Sequence, residues 1–167
     1  FILFLLFSFL GNGRDHVTSP QYPALPIHAI SAQIVSELSS IGALVLCAPT
    51  GSGKTTQVPQ ILLRSGLDHG GNILVLQPRR LATRLVATRV ADEMGTSLGD
   101  VVGFQTRLES RHSANTRILF LTEGLFLRRL LSDPQLTGIG AVIIDEFHER
   151  SLAADMALGL CRQLRAA

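Results

Sequence analysis

Apolar residues recur along this chain at two different spacings. From Leu25 onward, short uninterrupted apolar runs alternate with longer stretches in which an apolar residue returns every three or four positions. The first spacing predicts strands buried on both faces, and the second predicts helices with one apolar stripe. In "IHAISAQIVSELSSI", Ile27, Ile30, Ile34, Leu38 and Ile41 keep helical spacing. "ALVLCA" (Ala43 to Ala48) predicts a buried strand, and a helix is expected within "GKTTQVPQILLRSG", closed by Gly66. "NILVLQP" predicts a second strand, and "RRLATRLVATRVADEMG" a helix ending at Gly95. "VVGFQT" and "RILFLT" predict two further strands, followed by a helix in "EGLFLRRLLSD". "AVIID" (Ala141 to Asp145) predicts another strand and "AADMALGLCRQLRA" a last helix. Strands alternating with helices predict an α/β fold, with a mostly parallel sheet and helices on both faces.

The segment before Leu25 keeps neither spacing. "FILFLLFSFL" is an apolar run of ten residues, and as a helix it would span only about 15 Å, too short to cross a bilayer. It lacks the basic flank and cleavage pattern of a secretory signal. Residues 1–24 are therefore read as an apolar run and linker outside the fold, the mark of a fragment end or a misassigned start. Residues 25–167 are read as one domain. No stable membrane association and a cytoplasmic location go with that reading.

Composition narrows the picture a little. The chain has 167 residues, 46% of them hydrophobic and 17% charged, which suits a globular domain with a real core. A net charge of +2 neither demands nor excludes a polyanionic partner. The two cysteines, Cys47 and Cys161, have no metal or disulfide spacing, and Cys47, inside an apolar run, is expected to be buried. Of the 15 basic residues only Lys54 is a lysine.

That lysine stands in "APTGSGKTT", between a predicted strand and a predicted helix, the context that makes a phosphate loop credible. Thr50, Gly51, Ser52 and Gly53 would turn backbone N–H groups toward phosphate oxygens, with the helix N-terminus behind them. Lys54 would reach the β- and γ-phosphates, and Thr55 would offer its hydroxyl to Mg²⁺. Thr56 completes the motif. The strict pattern has Gly where this chain has Ala48, but the glycines of the turn itself are present. The second half of a Mg²⁺–nucleotide site is "AVIIDEFHER": four apolar residues deliver Asp145 to the carboxyl end of a strand, where ligands bind in open α/β sheets. Asp145 would hold the metal and Glu146, beside it, would orient and deprotonate the attacking water. These residues predict a protein that binds and hydrolyses a nucleoside triphosphate.

"GSGKTTQVPQ", "QPRR", "LTEG" and "DEFHERS", in that order, resemble motifs I, Ia, Ib and II of the DEAH/RHA helicases of superfamily 2, and "SDPQLTGIGAVIIDEFHERS" is most similar to the bacterial HrpB type. The resemblance runs from about Leu25 to Ala167. It implies a RecA-like first lobe that uses ATP with Mg²⁺. It also implies catalytic roles for Lys54, Glu146 and His148, with His148 coupling the nucleotide site to the strand-binding side. Asp145 and Glu146 become the metal-site carboxylates, and Arg89 a residue stacked on the adenine, which suits a planar guanidinium. Arg79, Arg80, Thr122, Glu123 and Gly124 would line a groove for single-stranded nucleic acid, RNA before DNA, touching its backbone without reading sequence. By spacing alone Arg128 and Arg129 read as a solvated face, while Arg107 stands where the strand could approach.

The chain stops 22 residues after Asp145, before the S-A-T motif and the second RecA-like lobe that such helicases need. The resemblance thus implies weak ATP binding, slow turnover and no unwinding by these residues alone. The competing reading is a nucleotide-binding remnant or interaction module without helicase activity. A small GTPase is excluded because its N-K-x-D motif needs a second lysine.

Overall fold

The computed structural model describes residues 2–6 and 25–166. The linker between residues 11 and 24 lies outside the described residues. The chain enters the domain through a 3₁₀ turn, Pro26–Ile30, and continues into α1 (Ser31–Ile41). Pro26 stands at the start of the turn, where its missing N–H costs nothing. Then follow β2 (Ala43–Cys47), α2 (Lys54–Arg64), β3 (Asn72–Gln77), α3 (Arg80–Glu93) and β4 (Val102–Gln105). The two-residue β5 (Ser110–Arg111) leads to β6 (Ile118–Thr122), α4 (Glu123–Ser132), β7 (Ile139–Ile144) and α5 (Leu152–Ala166).

The sheet order is β2-β1-β7-β3-β6-β4-β5, where β1 is Ile2–Leu6. Strands β7, β3, β6 and β4 pair in parallel. β1 runs antiparallel to both β2 and β7, so β2 points the same way as the parallel set. This corrects the reading of the N-terminal run as lying wholly outside the fold. The physical reason is backbone pairing, since β1 supplies hydrogen-bond partners to the facing edges of β2 and β7. The strand ends at Cys47, Gln77, Thr122 and Ile144 therefore share one carboxyl edge.

Period-two alternation sorts the core into two layers. Ile73, Val75, Ile118, Phe120, Ala141 and Ile143 pack on the face covered by α1, α2 and α3. Leu74, Leu76, Leu119, Leu121, Val142 and Ile144 pack on the opposite face with Phe126 and Leu130 of α4 and Ala157 and Cys161 of α5. Both faces are dry, which explains why these strands read as continuous apolar runs. The expected α/β class with helices on both faces is what the chain forms. Cys47 is exposed, contrary to the expectation that it is buried, because β2 lies at the sheet edge.

Candidate nucleotide and nucleic-acid site

The β2–α2 connection turns on glycine. Gly51 and Gly53 have φ of 78° and 89°, in the left-handed region that side chains disfavour. A Cβ on Gly53 would also meet Leu25 Cδ1 at 2.7 Å, whereas one on Gly51 would meet nothing within 4 Å. Gly51 is thus kept for its torsion and Gly53 for torsion and space. The 3₁₀ turn closes on this loop through Ile27 N–H, which donates to Ser52 O at 3.2 Å. Ser52 is buried, and its Oγ has no hydrogen-bond partner. Lys54 opens α2 and is only 4% exposed, with Thr55 and Thr56 behind it in the first turn. The Thr56 hydroxyl donates to Gly53 O at 3.4 Å. Thr50 remains exposed at the mouth of the loop.

Two strand positions away, β7 delivers Asp145 to the same edge, roughly 10 Å off by ordinary strand spacing. Asp145 is 1% exposed and fixed from three directions. Gln77 Nε2, at the end of β3, donates to Oδ2 at 2.7 Å. Glu146 N–H donates to Oδ1 at 2.9 Å, and Asp145 N–H donates to Leu76 O at 3.1 Å. Glu146 itself takes φ 50° and Arg150 φ 47°, rare for residues with side chains. These two turns fold the acidic loop back on itself around the short 3₁₀ helix Phe147–Glu149, and they lift the Glu146 carboxylate partly into the open. His148 Nδ1 lies 3.4 Å from Glu146 Oε2. The donor set is one carboxylate, a second beside it and a hydroxyl at Thr55. That set fits Mg²⁺, which takes oxygen ligands and completes its shell with water and phosphate. Among the described residues no cluster of three His, Cys, Asp or Glu offers an all-protein metal cage.

The predicted strand-binding residues gather at the ends of β3 and β6. Arg79 and Arg80 begin α3, both exposed. Arg79 pairs with Glu149 at 2.9 Å, tying this surface to the acidic loop. Thr122 stands at the N-cap position of α4 without a side-chain capping bond, and Gly124 is exposed, with nothing within 4 Å of where a Cβ would stand. Glu123 behaves differently: it is 8% exposed and accepts a hydrogen bond from Ser151 Oγ. Ser151 in turn caps α5 by accepting from Ala154 N–H at 2.8 Å. A buried carboxylate held in this way braces α4 against α5 and offers nothing to a phosphate. Arg89 lies on the flank of α3, with its Nε donating to Glu93 Oε1 at 2.7 Å.

Sequence reasoning missed the polar residues that hold these groups: Gln57, Gln60, Gln77, Glu93 and Ser151. Gln77 had one signal, a polar residue ending an apolar strand. Glu93 had another, its place four residues after Arg89 on a helix. The bonds that tie these residues across the fold run to partners between 28 and 68 residues away.

The chain is similar to known proteins over most of its length. Residues 28–157 match the family described as DEAD/DEAH box helicase. The ATP-dependent RNA helicase DHX33 of Homo sapiens is 44% identical over 142 residues, covering 85% of this chain and 20% of that protein. The ATP-dependent RNA helicase HrpB of Escherichia coli (strain K12) is 44% identical over 138 residues, covering 82% of this chain and 17% of that one. A crystal structure of the Escherichia coli DEAH/RHA helicase HrpB superimposes with a TM-score of 0.77 at 40% identity, covering 86% of this chain and 18% of its own. The chain thus spans about a fifth of the length of the relatives it matches.

Proposed function

The chain belongs to the DEAD/DEAH box helicase family, and from that membership we propose that it is the ATP-binding and ATP-hydrolysing first lobe of an RNA helicase. The observation that carries this reading is that a buried Lys54, opening the helix after β2, and a buried Asp145, just past the end of β7, stand at the same sheet edge. In this reading the loop Thr50–Gly53 and Lys54 hold the triphosphate, and Thr55 and Asp145 hold Mg²⁺. When bound there, Mg²⁺ would supply charge neutralisation at the phosphate oxygens. Glu146 takes the proton of the attacking water, and His148, within ion-pair reach of Glu146, relays its position toward the strand-binding side. Arg89 offers a guanidinium face to the base.

The partner is a single strand, and RNA is the nucleic acid in the names of the relatives. It would lie along Arg79, Arg80, Thr122 and Gly124, where guanidinium groups and a helix N-terminus grip phosphates without reading sequence. The Arg79–Glu149 pair supports communication between the two sites, because a strand phosphate and Glu149 compete for one guanidinium. A second RecA-like lobe of the full-length protein completes the nucleotide site, and the reading carries a cytoplasmic location with it. Among the described residues no helix is long and apolar enough to cross a membrane.

Single-turnover hydrolysis, with protein in excess over ATP and Mg²⁺, tests the reading. Glu146→Gln is expected to slow phosphate release by at least about 10²-fold, the usual contribution of a general base, while ATP affinity stays within about twofold. Equal rates for wild type and variant would remove Glu146 from catalysis and favour the nucleotide-binding module without hydrolytic activity.

A further inference from the structure

The two halves of the nucleotide site hang on strands that are not paired with each other. β2 ends at the phosphate loop and β7 at Asp145, and β1 stands between them. Among the described residues β2 pairs with no strand other than β1. Its Leu44 and Leu46 pack on the layer under α1, while Val45 and Cys47 on the other face are exposed. β7 is held differently. It pairs with β3 along its length, and Asp145 N–H carries that pairing on to Leu76 O. The acidic half therefore belongs to the parallel sheet, and the phosphate half is paired to that sheet only through β1.

The register shows how the bridge is made. Phe4 stands opposite Val45 and Ile144, Leu5 opposite Leu44 and Ile143, and Leu6 opposite Ala43 and Val142. Leu3 and Ile2 continue along Leu46 and Cys47 to the mouth of the loop. Apolar packing beneath, through Val58 and Leu62 of α2, is non-directional, whereas backbone pairing fixes a spacing. β2 and β7 run in the same direction, so without β1 their facing edges could pair with each other directly. That would bring them from about 10 Å to about 5 Å apart, two strand intervals against one. We propose that β1 is a spacer strand that sets the width of the nucleotide site. It holds the phosphate loop and Asp145 far enough apart for a Mg²⁺-bearing triphosphate to lie between them. This rests on the nucleotide-site reading above and deepens it.

The experiment is calorimetric titration of ATP into the whole chain and its Phe4→Pro variant, with Mg²⁺ and again with the metal chelated. Proline removes a backbone N–H from a strand paired on both sides. Affinity with the metal chelated, which calls on the phosphate loop alone, is expected to stay within about twofold, while the gain from Mg²⁺ falls at least about fivefold. A strand needed only for stability would weaken both alike. That result, or a full Mg²⁺ gain in Phe4→Pro, overturns the spacer role and leaves the nucleotide site standing. No Mg²⁺ gain in wild type overturns the nucleotide-site reading, and the spacer role with it. Melting curves check folding. Should Phe4→Pro not fold, backbone hydrogen exchange of wild type decides: the β2 amides directed at β1 are expected to be protected like those of β7. Exchange of those amides at the rate of an unpaired edge overturns the proposal.

Discussion

Fourteen guanidinium groups and one ammonium carry the positive charge of this chain, and the ammonium is the one buried behind the phosphate loop. Lys54 sits 4% exposed in the first turn of α2, just after a loop whose backbone is already drawn in by two left-handed glycines. A compact head on a flexible stem fits among phosphate oxygens and inward-pointing N–H groups there. A planar fork needs more room and fixed bidentate geometry. Lys54→Arg is therefore expected to keep the fold but to lower ATP affinity at least about tenfold, measured by calorimetry. Arginine binding ATP as well as lysine would mean that charge alone suffices at this position. The opposite lesson comes from Glu123. By sequence it belongs with the strand-binding residues, yet its buried bond to Ser151 makes it a brace between α4 and α5. Residues whose placement is legible from sequence are those set by immediate neighbours, as for Lys54 after its loop and Asp145 at its strand end. Glu93, Gln77 and Glu123 take their roles from partners that only the fold brings near.

At the scale of elements, the central strands were the easiest to read. β3, β6 and β7 are covered on both faces, so their apolar runs are continuous and unambiguous. β5 was invisible because two residues paired to β4 carry no periodicity of their own. The pairing of β1 was equally hidden, since nothing local says which edges an apolar run will join. Helix α5 gives a test of the inner layer it closes. Its Cys161 is buried against the sheet, and desolvation pushes the thiol up to about 12, from an ordinary 9.0. The fold thus favours the protonated thiol. Its contribution is fully present below pH about 9 and is lost as pH rises through 12, because the unfolded thiol ionises first. Native protein at pH 8 is expected to react with a thiol reagent at the exposed Cys47 alone, with Cys161 reacting only on denaturation. Two fast-reacting thiols in native protein would mean that α5 does not seal that face.

The whole molecule brings its chemistry to one edge. Parallel strands of common direction end together, so residues 91 positions apart, Lys54 and Asp145, come to neighbouring loops. The strand-binding candidates at the starts of α3 and α4 share that edge, joined to the acidic loop through Arg79–Glu149 and Glu123–Ser151. Everything claimed for the molecule depends on the phosphate loop and the acidic strand end forming one Mg²⁺–nucleotide site. Calorimetric titration of ATP, with Mg²⁺ and again with the metal chelated, tests this directly on wild type and Asp145→Asn. Mg²⁺ is expected to strengthen ATP binding to wild type, and Asp145→Asn is expected to lose this gain, falling to the affinity seen with metal chelated. Full Mg²⁺ dependence in Asp145→Asn, or no ATP binding by wild type, would contradict that single site.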